Sequence, residues 1–529
     1  MVHVANHMMS HILHFYHLVA LDYVKPVAFA GGGFLPLTRP FLAPRYDDSY
    51  YINSARVLGM APLLPPAAVA TLATLPGWGV NPGDAVNNYL TGQYLRALNI
   101  RRVAHELQAI FAGRAPQCNG FTPGGVTTSF TAADIASAQA KLDTIKAFVG
   151  EPLDFATGTA GTMMFDVVAA AHLYPEYFWI GNSYGYFLAF GWGEEAGAVP
   201  LSGNLGGVFG NMPNSSGDNR ASARGYKLSA QAGAPLYPVN IMNIGESIAN
   251  SRYQKDGGGN YPTGQPFKHP WSGKTQPDAN AEYSWLKSPR YKHNLSGIYM
   301  PMEVGPLARM VVAGAYFAGV LNVLGYGLTP VWNAAGPNLS AGGHPLQAVY
   351  AAIPPGGRTG GPNLSGVLYK GDSVLDRIAA RAVETRLMVD MAQHFLNQLS
   401  GSIDGTGYGT TGVTDPAVPN TLTVKKGYGM TEASRGALSH WIKMKSGKTT
   451  LYQAVVPTTW NANPRDVYGI PGPSEQSLMS GGGAWVANPA EPIELPRITH
   501  SYDFCIACAV HLISPEGEVT KVDVPALPS

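Results

Sequence analysis

Three cysteines in 529 residues are too few for a disulfide framework. Charge is scarce as well. Asp, Glu, Lys and Arg together make up 13 % of the chain, where an average soluble protein has about 25 %. The formal net charge of +1 gives no electrostatic case for binding nucleic acid or an anionic membrane. No basic region precedes the apolar N-terminal stretch, the first lysine being Lys25, so the start does not read as a secretory signal. Nor is there a membrane-length apolar run. The longest, Met310 to Leu328, contains Tyr316, Asn322, Tyr326 and four glycines, and reads as a buried helix. What is abundant is glycine, with 63, and proline, with 42, in a chain that is 45 % hydrophobic. Low charge with that much apolar content implies a large buried fraction, or a surface covered by a partner.

The length could hold three or four ordinary domains or one large one with elaborations. No internal repeat and no long linker divides the chain, so residues 1–529 read as a single large domain. The pattern is predominantly helical, an α+β fold with small β-rich elaborations. Apolar spacing predicts helices over 3–24, 84–112, 131–150, 304–325 and 372–400. Thr131, followed by Ala-Ala-Asp, is a plausible N-cap with acid in the first turn. Residues 25–82 are rich in Pro and Gly and carry few periodic stretches. Residues 195–300 are dense in Gly, Asn, Ser and Pro with short β-prone pieces, and read as strands and loops. Residues 403–426 read as a hairpin or loops.

Two features carry chemistry. Histidines at 3, 7, 11 and 14 fall on one face of the first helix. Such a stripe looks like a metal site, but a packed helix whose imidazoles bond to neighbouring backbone is the favoured reading. The second feature is Asp503-Phe504-Cys505-Ile506-Ala507-Cys508-Ala509-Val510-His511, which packs soft and hard metal ligands into one short run. Two of the three cysteines share this C-x-x-C. Redox dithiol and half a zinc site are the usual readings of that spacing. Zinc would want a second pair, and the other thiol is Cys118 alone. A thioredoxin-like motif belongs at a strand-to-helix junction rather than at the end of a long chain.

The run D-x-C-x-x-C-x-x-H near the chain's end resembles the C-terminal signature of the nickel–iron hydrogenase large subunit, with Phe504 where that family has proline. The resemblance continues in family order through His14-Phe15-Tyr16-His17-Leu18, Pro123-Gly124-Gly125-Val126, Tyr283-Ser284-Trp285-Leu286-Lys287, Met302 to Arg309, Glu432 to Leu438 and Tyr452 to Asn461. It implies reversible cleavage of dihydrogen into protons and electrons, in the uptake direction, at a nickel–iron centre whose iron carries carbon monoxide and cyanide. By position Cys505 would be a terminal nickel ligand and Cys508 a bridge to iron. His511 and the carbonyl of Ala454 would bind magnesium. Arg435 would hang over the open coordination site with Asp503 beside it, whereas without the resemblance it could be a surface arginine in a loop. Thr458, with Pro457 before it, would face a cyanide. Iron–sulfur clusters would belong to a partner small subunit, and a maturation endopeptidase and nickel-insertion factors to assembly. The resemblance places the first helix beside the metal centre without making its histidines ligands.

Three departures from the family pattern stand out. The R-x-C-G-x-C pair expected a few dozen residues before His14 has no counterpart here, which reads as truncation or as a piece on a separate chain. Ser10 stands where some members have aspartate, and Ser434 where proline is usual beside Arg435. Leu512 to Ser529 continue past His511 and resemble the cleavable propeptide of a precursor. Export signals in this family ride on the small subunit, so this chain's own sequence does not fix its compartment; the expected place is the cytoplasm, with any membrane association through partner subunits. Two other readings remain in view at this point. One is a non-catalytic relative like the quinone-site subunit of respiratory complex I. The other is a zinc or redox-dithiol protein.

Overall fold

The computed structural model describes residues 1–25, 48–61, 64–122, 125–151, 154–174, 177, 180–191, 224–230, 234–278, 280, 282–313, 332–333, 336–337, 371–401, 423–479, 491–505, 511–513 and 519–521. A bundle of helices forms the larger core. Helix α1 runs Val2–His14, α2 Pro82–Ala112, α3 Ala132–Val149, α4 Met163–Leu173, α5 Pro306–Val312, α6 Val374–Ser400 and α7 Glu494–Ser501. Helix α1 packs against α2 and α6, and α3 closes over both of those.

Local chemistry sets the ends of these helices. Asn81 accepts the Asp84 amide ahead of Pro82 in the first turn of α2, and Gly113 at φ +76 ends it. Thr131 and Asp134 form a capping box on α3, as Ser373 and Asp376 do on α6. The first helical stretch is less regular than its apolar spacing suggests. Beyond His14 the backbone widens to a π-turn over Phe15–Val19 and then tightens to a 3₁₀ turn over Ala20–Asp22. Only the first part of the helix expected over 304–325 can be compared, because residues 314–325 lie outside the described ones.

Helix α6 lies in the middle of the bundle, with every residue from Val374 to Ala392 buried. It nevertheless carries Asp376, Arg377, Arg381, Glu384, Arg386 and Asp390. Each of these charges must be met inside the protein, since an isolated buried ion is prohibitively expensive. Arg377 is held by both oxygens of Glu303 at 2.8 and 2.9 Å, and Glu384 takes both a guanidinium and an imidazole.

The β-rich part has its own smaller core around Leu188, Tyr226, Val304, Trp441 and Trp460. Strands β1 (Phe187–Ala189) and β2 (Gly225–Lys227) pair, as do β3 (Ile244–Ser247), β4 (Ser288–Lys292) and β5 (Tyr299–Met300). Within the described part of 195–300, strands β2 to β5 are short and joined by turns and loops. The C-terminal third differs from expectation. Strands β6 (Lys425–Ala433), β7 (Gly436–Lys445) and β8 (Lys448–Val455) form an antiparallel three-stranded sheet, where the sequence suggested a hairpin or loops over 403–426, mostly outside the described residues, and only Gly/Pro punctuation after it. Its alternation is masked by lysines and by aromatic residues half-covered on both faces. Short helices Ser54–Met60 and Pro66–Ala73 also occupy a stretch read as irregular. Among the described residues no helix is long and apolar enough to cross a membrane.

Candidate metal centre

The site begins at a turn. Ala433 at the end of β6 pairs with Gly436 at the start of β7, leaving Ser434 and Arg435 as a two-residue link. Gly436, at φ +133, stands so close to the next segment that a Cβ there would lie 2.6 Å from the Gly305 nitrogen. Only glycine fits this close approach. The Arg435 side chain leaves the turn 29 % exposed, with Nη2 3.1 Å from Asp503 Oδ1.

Asp503 arrives from the other side. It follows α7, donates its amide to the His500 carbonyl, and stands at φ +57 with 2 % exposure. Its second oxygen is 3.8 Å from Nε of Arg381 on α6. Burial, only partly offset by Asp503, draws Arg381 down to about 10, and the neighbouring Arg435 adds to the effect. Tyr502 fixes the turn. Its ring lies 3.8 Å beneath the Arg377 guanidinium and stacks on Phe504, while its hydroxyl accepts from Arg377 at 2.7 Å.

Two residues further, the Cys505 amide donates to Thr458 Oγ1 at 3.2 Å. Thr458 and Pro457 are buried in the short helix Pro457–Asn461, and the Cys505 thiol is free and exposed. Arg435 is thus brought to Asp503, and Thr458 to the Cys505 backbone two residues further on. The Nε of Arg435 and Oδ2 of Asp503 are buried without a hydrogen-bond partner. An exposed thiol two residues from a carboxylate that pairs with Arg435, with a buried donor and acceptor of that pair left unsatisfied, suits a soft metal carrying polar ligands. Cys508 lies outside the described residues. His511 opens a strand, His511–Ile513, paired with Val519–Lys521, but its side chain is not among those described. Among the described residues no group of three metal-ligating side chains converges.

Ala454 lies near the end of β8 and lines a separate cavity of about 490 Å³ with Glu246, Lys287, Gln453 and Thr459. Glu246 was not singled out in the sequence. It is 2 % exposed, Oε2 has no hydrogen bond, and Lys287 Nζ stands 3.7 Å away. Burial pushes its carboxyl up despite Lys287. An under-satisfied carboxylate in such a cavity fits a hard cation. A lone glutamate in a short strand gives no signal in sequence.

The histidine stripe is structural. His3 bonds the Glu432 carbonyl, His7 the His3 carbonyl, and His14 the His500 carbonyl at 2.6 Å. His11 departs from that pattern by meeting the Glu384 carboxylate at 2.8 Å. Burial draws His3 down to about 4 and His7 and His14 well below the usual imidazole range. Arg381, missed in the sequence, had a visible signal: it lies four residues after Arg377 and three before Glu384 on one helix.

The sequence profile of the nickel-dependent hydrogenase family matches residues 81–322 and 364–511, a span that takes in Arg435, Cys505, Cys508 and His511. The uptake hydrogenase large subunit of Rhizobium leguminosarum bv. viciae is 28 % identical over 97 % of this chain and 80 % of its own length. The periplasmic [NiFeSe] hydrogenase large subunit of Desulfomicrobium baculatum is 30 % identical over 98 % of this chain and 79 % of its own. A solved structure of the Dm. baculatum [NiFeSe]-hydrogenase superposes with a TM-score of 0.62 at 27 % identity, covering 96 % of this chain and 81 % of that one. The α+β, mainly helical fold is thus that of these enzymes, and the readings as a zinc protein or a complex I relative give way. With the profile running through the thiol motif and the geometry assembled around Cys505, the chain belongs to the nickel-dependent hydrogenase family, as a large subunit and an oxidoreductase.

Proposed function

We propose that Cys505 and Cys508 hold a nickel–iron centre whose iron carries carbon monoxide and cyanide, and that the chain works in the uptake direction. The reaction is H2 to two protons and two electrons. The centre, when bound, supplies the metals that polarise dihydrogen and accept its electrons. Everything else falls to the chain. Arg435, held by Asp503, would offer N–H donors to an iron-bound cyanide and hold charge where the H–H bond is polarised. Asp503 aims that guanidinium and balances its charge. Thr458 and Pro457 shape the floor, with the Thr458 hydroxyl steadying the backbone that carries Cys505. The supporting observation is that the Arg435–Asp503 pair, the Cys505 backbone and Thr458 meet at one place although they come from three separate segments.

Ala454 and Glu246, with His511, are proposed to serve a magnesium ion in the second cavity. Electrons leave to iron–sulfur clusters on a partner small subunit, since three cysteines cannot house them here. A maturation endopeptidase acting after His511, together with nickel-insertion factors, completes the proposed partners; nucleic acid is not among them. The cytoplasm is the proposed location, with any membrane attachment through partner subunits. The Dm. baculatum relative is named periplasmic, so cell fractionation decides this point.

The test is dihydrogen oxidation by the anaerobically purified enzyme with its partner, beside nickel and iron analysis. Arg435→Lys should retain both metals and lose about 10²-fold in turnover. Full activity in that variant would remove Arg435 from the reaction.

A further inference from the structure

Arg309 on α5 spends all five of its N–H donors. Nε and Nη2 take the two oxygens of Glu384, each at 2.6 Å, and Nη1 takes Glu432 Oε2 at 2.8 Å. The two remaining donors go to backbone. Nη1 bonds the Ala433 carbonyl and Nη2 the Ser434 carbonyl, both at 3.0 Å. Those carbonyls belong to the two residues immediately before Arg435. Arg309 itself is 2 % exposed. On the far side of the same turn, a Cβ on Gly305, the residue preceding α5, would be 3.2 Å from the Arg435 carbonyl.

We infer that Arg309 is a positioning residue: its grip on two successive carbonyls fixes the turn from which Arg435 reaches over the metal centre. The arrangement explains why so costly a buried ion is kept. A lysine at 309 would preserve the charge but offers three donors from one point, and cannot span a carboxylate fork and two carbonyls together. Ser434 adds a lesser tie, its Oγ donating to Asn6 Oδ1 on α1 at 3.0 Å. The inference rests on the proposed role of Arg435 in the reaction.

The experiment compares Arg309→Lys, Arg435→Lys and the double variant in the complete enzyme with its partner subunit. Amide hydrogen exchange over 433–436 should quicken at least about tenfold in Arg309→Lys and stay unchanged in Arg435→Lys. Nickel and iron content should match the parent enzyme, kcat should fall about 10-fold to 10²-fold, and KM for dihydrogen should hold. Adding Arg309→Lys to Arg435→Lys should cost less than about twofold more, because both act through one guanidinium. Unchanged exchange, or losses that multiply independently, would overturn the inference. If Arg435→Lys alone is fully active, the proposed reaction role of Arg435 fails instead, whatever the exchange shows. Should Arg309→Lys not assemble, Glu384→Gln carries the test, since it weakens the clamp on Arg309 while Glu432 still balances its charge. It too should speed exchange over 433–436, and no change would overturn the inference.

Discussion

Asp503 holds a carboxylate oxygen 3.1 Å from the Arg435 guanidinium while standing in left-handed backbone at φ +57. Aspartate and asparagine tolerate that conformation better than most residues, and strained backbone of this kind concentrates at functional sites. Because asparagine shares the tolerance, Asp503→Asn isolates charge from shape. It should leave nickel and iron in place and lower kcat by about 10²-fold, through a guanidinium no longer aimed or balanced. Metal analysis beside dihydrogen oxidation checks this.

Thr458→Val keeps the volume and removes the acceptor for the Cys505 amide. Leaving a buried or half-buried donor unpaired costs about 1–3 kcal/mol. The melting temperature should fall, and nickel retention during chelator dialysis should shorten.

Gly436→Ala would force a side chain into backbone at φ +133, 2.6 Å from the Gly305 nitrogen. A loss of about 1–3 kcal/mol is expected from the strained backbone alone, read as a lower denaturant midpoint with an unchanged slope.

The stripe on α1 sets an acid limit. His3, His7 and His14 have folded-state pKa values below the ordinary 6.5 because burial disfavours the charged ring. The unfolded chain therefore binds these protons first, and stability present above about pH 6.5 drains away as pH falls toward the folded values, at about 1.4 kcal/mol per unit of depression. Asp166, pushed up to about 6 by burial against the bonds from Tyr16, Tyr89 and Gln93, works in the opposite sense, losing stability as pH rises through that value. Comparison with His14→Gln separates the two effects. The variant should keep a donor for the His500 carbonyl and lose less stability than the parent between pH 7 and 5, as measured by guanidinium unfolding at each pH.

Glu246→Gln should reduce magnesium retained after gel filtration to well under one ion per chain, while nickel stays bound. Equal magnesium in parent and variant would show that the cavity beside Ala454 serves another purpose.

Much of this arrangement was legible before any coordinates. Capped, periodic helices such as α3 were recoverable because a cap such as Thr131 announces the start. The C-x-x-C motif stood out because thiols are rare in the chain and two of them share it. The β6–β8 sheet was not, since exposed lysines and aromatics on a half-covered sheet blur the alternation that marks a strand. Its loss hid the fact that Arg435 hangs from a hairpin rather than a loop. Glu246 escaped for a different reason. Its importance comes from burial and from which distant residue faces it, and neither is written in local spacing.

The most direct measurement replaces both Cys505 and Cys508 with serine in the assembled enzyme and follows nickel content and dihydrogen uptake together. Nickel should fall to background and uptake should vanish, with the fold intact by circular dichroism. Undiminished uptake with a full complement of nickel would contradict the assignment of these thiols to the metal centre.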